Sequence, residues 1–298
     1  MKILIAGSHG LLGEALTTVL EEDGNEVVAL VRNDAGDHKL SWHDIAKPSG
    51  HELLDGFDAI VHLGGTNIGE KRWNAERKQS IYQSRVETTG VLSRAIAQMV
   101  RKPEVFVCAS AVGYYGDTGD VITDESANQG SGFLAELTAD WEGACQPARD
   151  ADVRVVNLRT GVVLSRNGGM LKRLEQVFMM AMGGRLGSGQ QWMSWISLRD
   201  AVDAIVYAIQ IQSVRGPINL CAPNPITNAE FTQIFSDIIN RPAPVPVYPW
   251  MLNLTYGKEM TQEMLLVSQR VVPAALTNAG FEFRFPVLKQ ALESIYKD

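Results

Sequence analysis

No apolar run in the sequence approaches the roughly 20 residues that a helix needs to cross a bilayer, so a membrane-spanning protein is not expected. Cysteine is scarce: Cys108, Cys145 and Cys221 stand far apart, each inside an apolar stretch and without metal-ligand spacing. That argues against a disulfide framework or a thiolate zinc site and leaves buried, reduced thiols as the expectation. The histidines, His9, His38, His43, His51 and His62, all lie near the N-terminus and form no HxxxH pair, so no metal centre is expected. Basic charge is also short. With 27 Lys and Arg against 34 Asp and Glu, the formal net charge is -7, which argues against a nucleic-acid partner because phosphate neutralisation needs a basic face. Local basic clusters remain able to hold a small anion. The N-terminal MKILIAGSHG reaches glycine too early for a signal peptide, and the cytoplasm is the expected compartment.

What is present is ordinary globular material: 298 residues, 45% hydrophobic and 20% charged, enough for one large domain, or one and a lobe. Short β-rich runs, KILIAG (2 to 7), EVVALVR (26 to 32), DAIVHLGG (58 to 65), VFVCAS (105 to 110) and VRVVNLRTG (153 to 161), alternate with segments of helical spacing at 11 to 22, 74 to 99 and 133 to 149. The runs are nearly continuous in Val, Ile, Leu and Ala, as strands covered on both faces by helices must be. The expected fold class is α/β, a doubly wound parallel sheet of Rossmann type over residues 1–162. Residues 163–298 are expected to form a smaller C-terminal lobe with returns to the main sheet, among them a helix at DAVDAIVYAIQ and a strand at INLCA. The proline cluster RPAPVPVYP (241 to 249) reads as a hinge or extended connector to a final segment of about 245–298. No internal repeat is visible.

The first strand-turn-helix, KILIAGSHGLLGEALTTVL, spaces Gly7, Gly10 and Gly13 as GxxGxxG. Gly7 allows the turn, Gly10 permits close approach of backbone to a pyrophosphate, and Gly13 lets the helix pack tightly while its first amides face the anion. Ser8, Leu11 and Leu12 complete that loop. Three glycines alone are weak evidence, but between a strand and a helix they indicate a dinucleotide. The second strand ends in Val31, Arg32, Asn33, and an arginine at that tip suits a 2′-phosphate, which favours NADP; Asp34, two residues on, carries the rival NAD reading. Leu63, Gly64 and Gly65 end another strand with the small residues needed where backbone meets cofactor. Lys71, Arg72, Arg77 and Lys78 read most simply as a solvated basic helix face.

GxxGxxG, DAIVHLGG and SAVGYYG together resemble the extended short-chain dehydrogenase/reductase superfamily, home of nucleotide-sugar epimerases and dehydratases. KRWNAERKQSIYQSRVETT, FLAELTADWE, NLRTGVVLS, GGRLGSGQQWMSWISLRDA, NAEFTQIF and SQRVVPAAL narrow the resemblance, over essentially the full chain, to its atypical branch of epimerase family proteins. The resemblance implies a cofactor contact from Arg85 and a substrate-orienting role for Ser110. It also places Tyr114 or Tyr115 near the nicotinamide, either as an ordered aromatic turn or as a substitute acid.

One element of the superfamily is missing. A tyrosine followed four residues later by a lysine shares one helix face and relays the proton. Here the pair reads Phe133 and Leu137 when aligned from Phe133, or Leu134 and Thr138 when aligned from Glu142, and neither register supplies a titrating group. The stripe Phe133, Leu137, Trp141 reads as core packing, and Glu136 as a solubilising surface charge. Three functions compete: an NADP-dependent oxidoreductase acting on an unknown small carbonyl or hydroxyl substrate, a catalytically inactive NADPH-binding sensor or interaction protein, and a true nucleotide-sugar epimerase or dehydratase. The missing pair weakens the last. A substrate pocket is expected along GGRLGSGQQWMSWISLR (183 to 199), with Tyr114 and Tyr115, unless Trp192, Trp195 and the Met179, Met180, Met182 cluster simply fill the second core. The protein is expected to be a monomer or homodimer.

Overall fold

The computed structural model describes residues 1–32, 36, 38–180 and 182–297. The first half of the chain lays down β1 (Lys2–Ala6), α1 (Leu11–Glu22), β2 (Glu26–Val31), β3 (Lys39–Ser41), α2 (Trp42–Ile45) and β4 (Ala59–His62). It continues with α3 (Ala75–Tyr82), which passes through a π-helical turn at Gln83–Glu87 into α4 (Thr88–Gln98), then β5 (Val105–Ala111), α5 (Phe133–Gly143), α6 (Gln146–Asp150) and β6 (Arg154–Thr160). The second half adds β7 (Val162–Leu164), α7 (Gly169–Met179), β8 (Trp192–Met193), β9 (Trp195–Ser197), α8 (Leu198–Gln210), β10 (Gly216–Leu220) and β11 (Ile226–Thr227). Helices α9 (Asn228–Ile239), α10 (Pro249–Tyr256), α11 (Lys258–Met260), α12 (Ala274–Asn278) and α13 (Leu288–Tyr296) complete it.

Seven strands form the main sheet in the order β10-β6-β5-β4-β1-β2-β3, every neighbouring pair parallel. This is the expected doubly wound Rossmann sheet. Strand order reverses at β1, so the crevice beyond the carboxyl ends of β1 and β4 is where such folds take a ligand. Alternation along each strand divides the core. Ile3 and Ile5 of β1 join Val105 and Val107 of β5 against α1 and α8, whereas Leu4 and Ala6 join Phe106 and Cys108 on the opposite face with Trp141 and Cys145. All three cysteines are buried and free.

The edge strand β3 has no counterpart among the strand-like runs of the sequence, because KLS is too short and too polar to show a period. A second core of Leu164, Leu171, Phe178, Trp195, Phe231, Phe235, Leu288 and Leu292 lies under α7, α9 and α13. The prolines at 241 to 249 serve as an extended connector tied by backbone: Val247 N donates to Arg185 O at 2.8 Å and Gly187 N to Val247 O at 2.9 Å. The chain then returns. Thr118 N donates to Ser268 O at 2.8 Å and Val272 N to Thr123 O at 2.9 Å, while Leu276, Phe281 and Phe283 pack on the main core. No helix among the described residues is long and apolar enough to cross a membrane.

Candidate functional site

The Gly7–Gly13 loop is built as the spacing requires. Gly7 has φ +87, and a Cβ there would lie 2.7 Å from Gly64 N. A Cβ on Gly13 would come within 2.1 Å of Gly7 O, so any side chain pushes the helix start off the loop. Gly10 is the N-cap of α1 without a side-chain cap, leaving the amides of Leu11, Leu12 and Gly13, one turn after Ser8, as free helix-start donors. A Cβ on Gly10 would touch only Gly7 O, at 3.3 Å, which keeps this face of the loop open.

The loop opens into a cleft of about 1040 Å³ lined by Gly7, Gly10, Arg32, Leu63, Gly64 and Gly65 among others. Thus six of the expected residues share one cavity, at the crevice that the strand order marks. Arg32 is exposed at the tip of β2. Asp34, the competing acid, lies outside the described residues. Arg85 stands behind Gly65, where a Cβ would meet its Cζ at 3.0 Å. Burial, and secondarily the charge of Arg77, lower the Arg85 pKa to about 10, and its guanidinium lies 5.2 Å from the Trp141 ring centroid. It sits in the π-helical turn, which breaks the regular helix where the cleft is widest in polar groups: Ser80, Gln83, Ser84 and Glu87.

Several lining residues escaped the sequence reading, Trp42 and His62 among them. Trp42 forms one wall and lies with its ring centroid 5.4 Å from that of His62. His62, at the end of β4, is buried; Gly64 N donates to its Nδ1 at 3.3 Å, so Nε2 faces Thr88 Oγ1 at 3.2 Å as donor. Burial first, then Arg85, lower its pKa to about 4. The signal was available: a histidine closing an otherwise apolar, buried strand.

This produces a stability prediction with a definite sign. Between about pH 6.5 and 4 the unfolded chain binds a proton at His62 that the folded chain does not, so stability falls as pH falls through that window, by up to roughly 3 kcal/mol. Urea midpoints measured from pH 7 to 4 should drop less in His62→Gln than in the parent; parallel curves would remove His62 as the cause.

The catalytic candidates sit in a second, drier place. Ser110, next to last in β5, donates from Oγ to Glu142 Oε1 at 2.6 Å. Glu142, on α5, also takes Arg159 Nε at 2.8 Å and Nη2 at 2.9 Å, a bidentate pair whose side chains are 12% and 4% exposed. Arg159 Nη1 donates to Tyr115 Oη at 2.9 Å, and that hydroxyl donates to Asn219 Oδ1 at 2.7 Å. Burial, only partly offset by Arg159, pushes the Tyr115 pKa up to about 12. Arg159 keeps its charge although burial opposes it, because Glu142 and Tyr115 more than compensate. Tyr114 is half-buried, its ring 3.5 Å from the Arg159 Cζ. Ser110 and Tyr115 are therefore engaged, and Tyr114 alone keeps a partly open face.

A model of the NAD dependent epimerase/dehydratase family matches residues 3–221, and a model of a domain of unknown function, DUF1731, matches residues 249–295. An epimerase family protein of Mycobacterium leprae is 44% identical over 97% of this chain and 94% of its own length. The chain belongs to the NAD dependent epimerase/dehydratase family, in the branch of epimerase family proteins. Among solved structures, the human epimerase family protein SDR39U1 (isoform 2), crystallised with NADPH, is 32% identical and superposes with a TM-score of 0.93, all of both chains being covered. A nucleoside-diphosphate sugar epimerase of Corynebacterium glutamicum is 39% identical with a TM-score of 0.82 over 99% of this chain and 58% of that one.

On α5, where the resemblance to the superfamily would place a tyrosine and a lysine, neither register holds a titrating side chain. The register counted from Glu142 faces the turn after β5: a Cβ on Gly113 would lie 3.4 Å from Leu134 Cβ and 3.8 Å from Thr138 Oγ1. Thr138 spends its hydroxyl on Leu134 O at 2.5 Å. Phe133 points elsewhere, edge-on to Trp73 at 5.2 Å and beneath Lys78 at 4.7 Å, while Leu137 and Trp141 are core. The DUF1731 segment caps this helix, since Glu263 accepts from Leu134 N at 2.9 Å and Phe133 N at 3.2 Å.

The segment 183–199 divides. Trp195 fills the second core, whereas Trp192 is half-buried, donates from Nε1 to Asp120 at 2.8 Å and lies under Arg270 at 4.1 Å. Met179, Met180 and Met182 are exposed rather than core-filling. Arg199 pairs with Asp203 and borders a separate groove between α1, α8 and α13. None of residues 183–199 lines the large cleft.

Proposed function

We propose that this protein binds NADP(H) in the cleft between the Gly7–Gly13 loop and Arg32 and acts as an atypical oxidoreductase on a small carbonyl or hydroxyl compound. The carrying observation is the cleft itself: the steric cradle of Gly7 and Gly13, the uncapped start of α1 and the exposed guanidinium of Arg32 lie along one cavity. The complex of the human relative with NADPH supports the same cofactor. In this reading the amides of Ser8, Leu11, Leu12 and Gly13 hold the pyrophosphate, Arg32 meets the 2′-phosphate, Leu63, Gly64 and Gly65 admit the cofactor's backbone, and Arg85 stands at its nicotinamide half. The bound cofactor supplies hydride chemistry. The chain's own part is to orient the substrate, through Tyr114 held against Arg159 and through Ser110 held by Glu142, while water supplies the proton that no side chain at positions 134 and 138 can. Turnover of NADPH against a panel of carbonyl compounds tests this; no oxidation by any would favour the binding-only reading, which the engagement of Ser110 and Tyr115 in one buried network also supports.

Arg32→Ala is expected to weaken NADPH binding about 10- to 100-fold and to leave NADH almost unchanged, because only the phosphorylated cofactor offers a charged partner. Fluorescence titration with both cofactors checks it. Equal affinities of the parent protein for the two would refute the 2′-phosphate assignment.

A further inference from the structure

The loop that leaves β1 holds a side chain that neither the pyrophosphate amides nor Arg32 account for. β1 and β2 run parallel with Ala6 opposite Leu30, so residues 7 to 9 pass beside Val31 and Arg32. His9 lies there, exposed, and lines the same cleft as Gly10 and Arg32. Its Nδ1 is 3.3 Å from Ser8 Oγ. With that nitrogen engaged by the hydroxyl, Nε2 is the nitrogen left for a ligand.

Charge decides what it can do there. A phosphate monoester carries about -1.5 to -2 at neutral pH, and a single guanidinium offsets roughly half of that. Among the described residues that line the cleft, Arg32 is the one Arg or Lys; Arg85 stands behind Gly65 rather than on the wall. Three other lining side chains can carry charge. Glu87, on the π-helical turn, has the wrong sign, and so does Glu14, which follows the loop in the first turn of α1. His62, at the end of β4, is buried, engaged at both ring nitrogens and held neutral down to about pH 4. His9 is the one that remains, and a histidine is the side chain whose charge changes between about pH 5 and 8.

We propose that His9, as an imidazolium, joins Arg32 at the cofactor's 2′-phosphate, so that the preference for NADPH over NADH grows as pH falls. This rests on the cleft binding NADP(H) and adds the regulation of that site. The protonated ring donates from Nε2 to a phosphate oxygen and from Nδ1 to Ser8 Oγ. The phosphate in turn favours the charged ring, so binding takes up a proton.

Fluorescence titrations with NADPH and NADH at about pH 8 and about pH 6.5, above the range where the phosphate itself takes a proton, make the test. NADPH should bind roughly 3- to 5-fold more tightly at the lower pH, and NADH should show no such gain. His9→Gln keeps a polar group that cannot charge, and its NADPH affinity should be the same at both pH values. His9→Lys, charged throughout, should bind NADPH at the higher pH about as tightly as the parent does at the lower, again without a pH step. A step that survives in His9→Gln, or a parent affinity for NADPH that is flat with pH, overturns the proposal. An equal step with NADH overturns it as well, by moving His9 to the pyrophosphate that both cofactors share. If NADPH binds at neither pH, the cofactor reading itself fails and His9 falls with it, whereas tight but pH-independent NADPH binding strikes His9 alone.

Discussion

Glu142→Ala should lower the unfolding free energy by about 3–5 kcal/mol, the range for breaking a buried ion pair from one side. The change deletes both carboxylate oxygens that hold Arg159 Nε and Nη2 and leaves a guanidinium, 3% exposed, with only Tyr115 Oη and two aromatic faces for company. It also strips Ser110 of its acceptor. Most of the loss comes from the stranded charge rather than from the attraction itself, so the double variant Glu142→Ala with Arg159→Met should recover a large part of it. Guanidinium unfolding of parent, single and double variants makes the comparison. A single variant within 1 kcal/mol of the parent would mean that water reaches Arg159 and that the network is not the dry structure described above.

That network also marks where the sequence stops being legible. The strands were readable because each is buried on both faces and therefore continuous in Val, Ile, Leu and Ala; KILIA, AIVH and VFVCASA need no partner to be recognised. Helix α1 was readable from its glycine start and its apolar spacing. Pairings between distant residues were not. Arg159 interrupts an apolar strand and Glu142 sits on an unremarkable helix, 17 residues apart, and no periodicity joins them. Ser110 could have been placed better from parity alone: it shares a face with Phe106 and Cys108, toward the helices, because strand side chains alternate. The glycine loop was legible as chemistry because its spacing is dictated by contacts within a dozen residues. Trp42 was not, because its place in the cleft wall comes from a neighbour on another element, His62 at the end of β4. The methionines at 179, 180 and 182 misled in the opposite direction, since apolar composition without a full helical stripe does not say which side faces solvent.

Nucleotide-sugar epimerisation is expected to be about 10²- to 10⁴-fold slower than in superfamily members that keep the tyrosine and lysine, the usual value of general acid-base help. The argument is chemical before it is structural. Oxidising a sugar hydroxyl requires a proton to leave its oxygen as the hydride leaves its carbon, and returning the hydride to the other face requires that proton back. Water can serve an activated carbonyl that is being reduced, but it is a poor base for an ordinary alcohol at neutral pH. Counted from Glu142 the relay positions would be Leu134 and Thr138, counted from Phe133 they would be Phe133 and Leu137; neither pair titrates, and Thr138 already donates to Leu134 O. Of the hydroxyls nearby, Tyr115 has its pKa pushed up to about 12 by burial, so no phenolate base forms there at physiological pH; Ser110 donates to Glu142. Restoring the pair by Leu134→Tyr with Thr138→Lys places an ammonium at a position only 2% exposed, which should cost several kcal/mol unless the cofactor's ribose receives it. The direct measurement is turnover of UDP- and dTDP-sugars by the parent protein with NADP or NAD, followed by product stereochemistry. Rapid epimerisation with a rate rising through a group that titrates near neutrality would show that another side chain has taken the tyrosine's part, and the case for a reductase of activated carbonyls would fall with it.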